Sequence, residues 1–299
     1  MRRQDVTFPG EDGFDLSGWL YSPNGVGPHP AITMAHGFAA VRKHGLERFA
    51  LAFAEAGFAV LVHDHRGFGA SGGCPRQDVD PWRQVSDWRR AISYLEARPD
   101  VDAHRLGIWG TSFAGGHAIL LGATDRRIRC VVAQVPTISG FEQGRRRVAP
   151  DATADLEEAF ASDDRAVFHG EPRRLMQVVS SDPAVLVAMR GPDAARFFLQ
   201  CAAQESWANE VTIRSVRSAR AYEPGTWVSR VSPTPLLMIV ALHDTMTMTD
   251  LALSAFEEAL EPKRLVTIPG GHFDPYDKAF PAASEAAVSW FQAHIGGKR

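Results

Sequence analysis

The sequence predicts an α/β fold in which helices cover both faces of a mainly parallel sheet. Short apolar segments alternate with amphipathic segments of helical spacing over the first 136 residues, which indicates strands and helices in turn. The alternation stops after Pro136 and resumes near residue 231. A sheet domain that is interrupted by one long insertion accounts for both observations.

The expected elements follow in chain order. The segment DLSGWLYSP alternates and ends at Pro23, so it is predicted as an exposed early strand. Four buried strands are predicted next, in AITMAHG, FAVLVHD, RLGIWG and IRCVVAQVP. Helices are predicted between them, in LERFALAFAEAG, PWRQVSDWRRAISYLEAR and AGGHAILLGATD. The last part of the chain adds the strands TPLLMIVALHD and KRLVTIPGG, the helix TDLALSAFEEALE between them, and a final helix from about Pro275 to Ile295.

The insertion is predicted as a mostly helical cap over residues 138–230. It contains few strand signals, and prolines punctuate it at positions that include Pro150, Pro172, Pro183 and Pro192. The core domain is then expected to comprise residues 1–137 and 231–299. The arginine run at 145–147 is expected to form a solvated face, and recognition of an acidic group on a substrate is the alternative.

Composition excludes several classes of function. The formal net charge of −3 provides no basic field for nucleic acid. No segment has the roughly 18 consecutive apolar residues of a membrane-spanning helix, and the N-terminus lacks the apolar run of a signal peptide. The three cysteines, Cys74, Cys130 and Cys201, form no disulfide or zinc pattern. We therefore expect a cytoplasmic protein with no metal or other cofactor.

Ser112 is the strongest candidate for a functional residue. The segment GTSFA places it between a predicted strand and a predicted helix, as in the nucleophile elbow G-x-S-x-G. Such a turn strains the backbone at the serine, and small neighbours relieve the crowding. The first N–H groups of the helix favour negative charge near the hydroxyl. Ala114 stands where glycine is usual, and an ordinary tight turn is the alternative interpretation.

A serine hydroxyl needs a base, and the later part of the chain provides candidates. His272 lies in GGHFDPY just after a predicted strand, where a loop could turn its imidazole towards Ser112. Asp244 ends the strand in ALHDTMT and could orient that imidazole. Asp250 is expected to cap the next helix. Asp274 lies too near His272 in sequence to approach its ring from the other side.

An oxyanion hole needs two N–H donors. The backbone N–H of Phe113 follows the nucleophile directly, and that of Phe38 follows the strand AITMAHG. His36 is expected chiefly to hold this loop by hydrogen bonds, and it is also kept as a candidate pocket residue.

Other features are weighed against structural roles. Trp207, Met246 and Met248 are candidates for the substrate pocket, although aromatic residues at such spacing more often form core. The segment HDHRGFGASGG could indicate a metal site or a phosphate loop, but it lacks further ligands and the lysine of a phosphate loop. It is therefore predicted as a strand end and a tight loop, in which Asp64 and Arg66 bond the backbone.

The motifs MAHGF, DHRGFGASGG, GIWGTSFAGGH, LLMIVALHDTMT and IPGGHFDPY resemble, in this order, the α/β-hydrolase superfamily over nearly the whole chain. The segments HGFAAVRKHGLERFA, WANEVTIRS and YEPGTWVSRVSPTPLL are similar to a branch with dienelactone-hydrolase-like and acyl-peptidase-like proteins and fungal polyketide transferases. The resemblance implies an eight-stranded, mainly parallel sheet with a helical cap. It assigns Ser112, Asp244 and His272 as a catalytic triad and the amides of Phe38 and Phe113 as the oxyanion hole. Two positions, Ala114 and Met248, depart from the pattern.

These observations predict a serine hydrolase that cleaves an ester, a thioester or an activated amide through an acyl-enzyme. The expected substrate is a small molecule with an apolar acyl or aromatic group of small to medium size. An acyltransferase with the same triad is one alternative, and a non-catalytic ligand-binding protein is another. No nucleic-acid or membrane partner is expected, and a homodimer is left open.

Overall fold

In the computed structural model, which describes residues 1–182, 185–200 and 207–297, eight strands form one sheet. Six of them are parallel neighbours, and the first two join antiparallel at one edge. The strands of this sheet are β1 (Arg2–Pro9), β2 (Asp15–Ser22), β3 (His29–Ala35), β4 (Ala59–His63), β5 (Val101–Thr111), β6 (Ile128–Gln134), β9 (Leu236–Ala241) and β10 (Lys263–Ile268). Their order across the sheet is β1-β2-β4-β3-β5-β6-β9-β10. A separate pair of two-residue strands contains β7 (Leu175–Met176) and β8 (Val211–Thr212). The predicted mainly parallel, eight-stranded sheet is confirmed.

The N-terminal edge differs from the expectation in two respects. The first strand, β1, was not predicted, because its residues Arg2–Pro9 are mostly polar and five of these eight residues are exposed. The segment of β2 was predicted as exposed, and this was wrong. It lies between β1 and β4, and its side chains Leu16, Leu20 and Tyr21 are buried. An alternating pattern indicates a strand, but it does not show which neighbours cover that strand.

Helices cover both faces of the sheet. The helices between and after the core strands are α1 (Leu46–Glu55), α2 (Pro81–Glu96), α3 (Phe113–Thr124), α8 (Thr249–Glu258) and α9 (Phe280–His294). Helices α1 and α9 pack on one face, where alternate residues of β3 such as Ile32 and Met34 join their core. Helices α2, α3 and α8 pack on the other face, against Ala31 and Ala35. Successive side chains of a strand point to opposite faces, which explains the two cores.

The insertion lies between β6 and β9. Its helices are α4 (Gly140–Arg147), α5 (Thr153–Phe168), α6 (Pro192–Gln200) and α7 (Ile213–Arg220). Its buried side chains Val178, Phe198 and Tyr222 belong to the same apolar core as α2 and α3. The insertion thus packs directly on one face of the sheet. The proposed boundaries of the cap, 138–230, stay a prediction, and its residues 183–184 and 201–206 lie outside the described residues.

Two of the cysteines can be placed. Cys74 is exposed and Cys130 is buried, and both are free thiols, whereas Cys201 lies outside the described residues. No helix within the described ranges combines the length and the apolar character that crossing a lipid bilayer requires.

The turn between β5 and α3 places the candidate serine at the carboxyl edge of the sheet. Gly110 is essential to this turn, because a Cβ atom there would lie 2.0 Å from the carbonyl oxygen of Ala114. A backbone atom cannot move aside as a side-chain end could. The first turn of α3 can therefore pack this closely against β5 only because residue 110 has no side chain.

We expect Gly110→Ala to lower the free energy of unfolding by about 3 kcal/mol or more, because the new methyl group overlaps the backbone of α3. Urea unfolding followed by circular dichroism measures this change. Gly297→Ala is the matched control, since the Cβ atom would meet only the end of the Arg105 side chain at 3.3 Å. Equal stability of the two variants would contradict this account of the turn.

Candidate active site

Ser112 occupies the strained turn that the sequence predicts. Its backbone angles are φ 57° and ψ −122°, a left-handed conformation that costs a residue other than glycine roughly 1–3 kcal/mol. The turn is held by its own backbone, because the Ser112 N–H donates to Gln134 O and its carbonyl accepts from the Thr137 N–H, both at 2.9 Å. Gly37 leaves room for the side chain, since a Cβ there would lie 3.0 Å from the Cβ of Ser112.

His272 lies within hydrogen-bond distance of Ser112. The loop after β10 brings the imidazole Nε2 to 2.9 Å from Ser112 Oγ, across 160 positions of sequence. The other ring nitrogen, Nδ1, lies 2.8 Å from Asp244 Oδ2. All three side chains are buried. A hydroxyl, an imidazole and a carboxylate in this order can move the serine proton to His272 and stabilise the resulting positive charge.

Asp244 is held as an ionised carboxylate. Its Oδ1 accepts hydrogen bonds from the backbone N–H groups of Met246 at 2.7 Å and Thr247 at 2.9 Å. Desolvation raises the pKa of Asp244, but attraction to His272 and the hydrogen bonds from His272 and Thr247 outweigh it and lower this pKa from 3.8 to about 2. The ionised form thus stabilises the fold above about pH 4, and this contribution is lost as the pH falls towards 2.

The two competing carboxylates lie elsewhere. Asp250 is in the first turn of α8 and pairs with Arg146 at 2.7 Å on the surface. Asp274 accepts a hydrogen bond from the Gly271 N–H at 2.7 Å and pairs with Lys278 at 3.3 Å. Among these three candidates, only Asp244 contacts the imidazole.

Thr247 is a part of the site that sequence reasoning missed. Its hydroxyl lies 2.8 Å from Asp244 Oδ2 and 3.1 Å from the carbonyl oxygen of Val135. Its single hydroxyl proton is donated to Asp244, the nearer of these two acceptors, and gives that carboxylate a further hydrogen bond. The segment HDTMT contained the signal, because a hydroxyl residue three positions after a carboxylate can reach back to it.

Phe38 and Phe113 both line the cavity at Ser112, and their rings contact each other edge to face at 5.8 Å. Phe113 is the first residue of α3, so its N–H has no carbonyl of a preceding turn to bind. Within the described part of the chain, the Phe38 N–H likewise donates no backbone hydrogen bond. Two such free donors beside Ser112 are suited to an oxyanion, and this role stays a prediction.

Two residues that were candidates for the pocket, His36 and Trp207, form hydrogen bonds with the loop that bears Phe38. His36 Nδ1 lies 2.9 Å from Gly37 O, and its Nε2 accepts from the His65 N–H at 3.0 Å. Burial lowers the pKa of His36 to about 4, so the ring is neutral and can accept this bond. Trp207 donates its indole N–H to the Ala39 carbonyl at 2.8 Å. Both residues support the loop instead of lining the cavity, which corrects their assignment to the pocket.

Two cavities meet at Ser112. The first has about 490 Å³ of empty space, partly open to solvent, and the second has about 310 Å³. The first cavity is mainly apolar with a few polar groups, and its walls include Phe113, Thr137, Gln143, Arg147, Ala188, Met189, Val216, Ala219, Met246 and Thr247. The second cavity is mainly aromatic, and its walls include His44, Phe197, Phe198, His272, Phe273 and Tyr276.

The two predicted methionines differ in position. Met246 lines the first cavity, as expected. Met248 precedes α8 with φ 65° and lines neither cavity, so its assignment to the pocket is also corrected. All three arginines of the run at 145–147 are exposed, as expected of a solvated face, and Arg147 in addition lines the first cavity.

The structure supports the structural interpretation of the HDHRGFGASGG segment. Asp64 accepts a hydrogen bond from the Arg42 backbone N–H at 2.7 Å and pairs with the Arg42 guanidinium. Arg66 pairs with Asp87 rather than with the backbone, a departure from the expectation. Over the described ranges, no three His, Cys, Asp or Glu side chains are grouped so that they could hold a metal ion.

Comparisons with known proteins agree with this architecture. Residues 12–274 match the family described as X-Pro dipeptidyl-peptidase (S15 family). The quorum-quenching protein AidA of Acinetobacter baumannii is 33% identical over 91% of this chain and 88% of its own length. A thiohydrolase of Eupenicillium brefeldianum is 30% identical over 91% of this chain and 88% of its length.

Fungal polyketide transferases also resemble this chain. Polyketide transferase grgF of a Penicillium species is 28% identical over 92% of this chain and 90% of its length. The crystal structure of the α/β-hydrolase GrgF from Penicillium sp. sh18 superposes with a TM-score of 0.86 at 26% identity, and it covers 99% of this chain and 100% of that one. The resemblance to α/β-hydrolases and to these transferases is confirmed.

We expect Asp244→Asn to reduce kcat/KM for a 4-nitrophenyl ester by about 10,000-fold, because the amide favours the wrong tautomer of His272. Steady-state release of nitrophenolate measures the effect. Asp274→Asn is the matched control, since Asp274 neighbours the same histidine without contacting its ring. A larger loss in the control than in Asp244→Asn would refute the assignment of the acid.

Proposed function

The chain belongs to the X-Pro dipeptidyl-peptidase (S15) family, on the α/β-hydrolase fold, and we propose that it hydrolyses carboxylic esters or thioesters with Ser112 as the nucleophile. One observation carries this proposal: Ser112, His272 and Asp244 form a continuous hydrogen-bonded chain, with distances of 2.9 and 2.8 Å. The Ser112 end of this hydrogen-bonded series lies in the wall of a mainly apolar cavity that is partly open to solvent.

The reaction follows from this geometry. His272 Nε2 accepts the proton of Ser112 as the oxygen attacks the carbonyl carbon, while the N–H groups of Phe38 and Phe113 bind the oxyanion. The carbonyl re-forms, and the bond to the leaving group breaks as His272 returns the proton to that group. Water then attacks the acyl-enzyme with His272 again as base, and the acid leaves Ser112 free. Asp244 orients the imidazole throughout.

The two cavities are proposed to bind different parts of the substrate, one the acyl group and the other the leaving group. The leaving group must lie near His272, because it takes the proton from Nε2. His272 lines the second, aromatic cavity and is absent from the walls of the first. The alcohol or thiol part therefore belongs in the second cavity, and the acyl part belongs in the first. The apolar walls of the first cavity favour an acyl chain of small to medium size.

Thioesters are proposed as substrates in addition to oxygen esters. The relatives named thiohydrolases span most of this chain, and the same triad acts on either bond. Ester or thioester cleavage fits the structure better than peptide cleavage, because none of the described residues that line the two cavities is acidic and could bind a peptide N-terminus.

Acyl transfer is the second candidate function. Relatives named polyketide transferases support it, and the second cavity could hold an acceptor alcohol beside His272 in place of water. A non-catalytic binding protein is the weaker alternative, because no member of the proposed triad is missing. The cytoplasmic location and the homodimer considered from the sequence stay predictions.

We expect Ser112→Ala to lower ester and thioester turnover by about 10,000-fold or more and to abolish labelling by a fluorophosphonate probe. The assay compares 4-nitrophenyl esters of increasing chain length, aryl esters and thioesters. Ser284→Ala is the matched control, because Ser284 has the same 8% exposure but lies in α9. Turnover that survives in Ser112→Ala would mean that another residue is the nucleophile.

Product analysis distinguishes hydrolysis from transfer. In the presence of a short-chain alcohol, we expect the free acid to remain the main product, because water can enter the partly open cavity. Chromatography of the products with and without the alcohol measures the ratio of acid to new ester. A predominance of the new ester at low alcohol concentration would establish the transferase instead.

A further inference from the structure

The arginine run on α4 is not one uniform surface. Arg145 pairs with Glu142 at 2.8 Å, and Arg146 pairs with Asp250 at 2.7 Å. Both of these guanidinium groups are neutralised by carboxylates outside the cavity. Arg147 differs from its two neighbours, because its side chain lines the first cavity together with Ser112.

Arg147 has unused hydrogen-bond donors. Within the described residues, its one hydrogen bond runs from Nε to the Gln143 carbonyl at 3.3 Å, and no carboxylate there pairs with it. Asp244 attracts it only from a distance, and the Asp244 oxygens are already bonded to His272, Met246 and Thr247. The two terminal nitrogens of Arg147 are therefore available to a ligand.

A second guanidinium increases the positive potential beside Arg147. Arg220 on α7 packs over Gly144, where a Cβ would lie 2.7 Å from the Arg220 Cγ. Its buried Nη1 has no hydrogen-bond partner in the described part of the chain, and its Nη2 lies 3.9 Å from Glu157. Repulsion from Arg220 acts on Arg147, whose side chain is exposed at the cavity. Arg147 and Arg220 are neighbouring cations, and the only carboxylate that pairs with either of them among the described residues is Glu157, at 3.9 Å. Such a pair of cations favours the binding of an anion.

Helix α4 runs along the wall of the first cavity and ends at Arg147. Gly140, Gln143 and Arg147 all line the first cavity, at the spacing of one helix face. The Gln143 amide donates to the Thr247 carbonyl at 3.2 Å, which anchors this face to the loop of the acid. Seven residues of helix span about 10 Å, so the cavity extends about that far along α4 between Gly140 and Arg147.

We propose that Arg147 binds a carboxylate at the far end of the acyl group, so that the preferred substrates are esters or thioesters of medium-length dicarboxylic acids. This inference rests on the proposed hydrolase function and on the acyl group lying in the first cavity. The apolar walls contact the methylene chain, and the two terminal nitrogens of Arg147 donate hydrogen bonds to the terminal carboxylate in a bidentate ion pair.

The test compares two substrates that differ only in this charge. They are 4-nitrophenyl hydrogen suberate and the 4-nitrophenyl ester of monomethyl suberate, both followed by nitrophenolate release. We expect the wild type to prefer the charged substrate in kcat/KM. Arg147→Gln should lower the ratio of charged to neutral substrate by about 10- to 100-fold, since it removes a charge-assisted pair. Arg147→Lys should retain part of this ratio because it keeps the charge.

Arg145→Gln is the matched control, because this neighbour lies outside the cavity and pairs with Glu142. It should keep the wild-type ratio. An unchanged ratio in Arg147→Gln, or an equal loss in Arg145→Gln, would overturn the carboxylate site, the latter by indicating a general surface potential. The ratio within each variant corrects for any common effect on folding, and turnover of the neutral ester shows that the variant is folded.

Two further results identify where any failure lies. Octanoyl-coenzyme A and the uncharged octanoyl-N-acetylcysteamine thioester differ only in the anionic leaving group. A lower ratio for this pair in Arg147→Gln, without a change for the suberates, would place the anion in the leaving group and overturn the proposal. Release of nitrophenolate from neither ester by the wild type would instead refute the hydrolase function itself.

Discussion

The left-handed backbone of Ser112 is the constraint on which the rest of the site depends. It turns the chain from β5 into α3 within one residue, so that the hydroxyl projects above the sheet edge and the Phe113 N–H stays free. This strain persists only because the surroundings allow no relaxation. Gly110 lets α3 approach β5, Gly37 leaves space for the serine side chain, and Gln134 and Thr137 hold its backbone.

The site also requires a negative charge on Asp244, and residues that directly follow Asp244 in the chain stabilise this charge. Burial alone would raise the pKa of this carboxyl group, but the N–H groups and hydroxyl of the following residues bind its oxygens before any substrate arrives. The imidazole of His272 then meets a fixed anion. Such an arrangement needs no reorganisation during the reaction, and this is the form in which electrostatic stabilisation is most effective.

The insertion determines which molecules reach this machinery. It provides Arg147, Met189 and Val216 to the first cavity and Phe197 and Phe198 to the second. It also supports the loop of Phe38, because the Trp207 indole binds the Ala39 carbonyl. Selectivity and the geometry of the proposed oxyanion hole are thus coupled through one segment. Variation within this segment can change the preferred substrate without altering the triad.

The sequence by itself determined the alternation of strands and helices, the turn at Ser112 and the order of Ser112, Asp244 and His272, because these depend on local patterns and short motifs. It did not determine the burial of β2 or the positions of Trp207 and Arg147. Those depend on segments that pack together although they lie far apart in the chain, such as Tyr21 of β2 with Val60 of β4 and Trp207 with Ala39. Only the tertiary structure decided which side of each helix faces the cavity, since periodicity shows that a face exists and not what it meets.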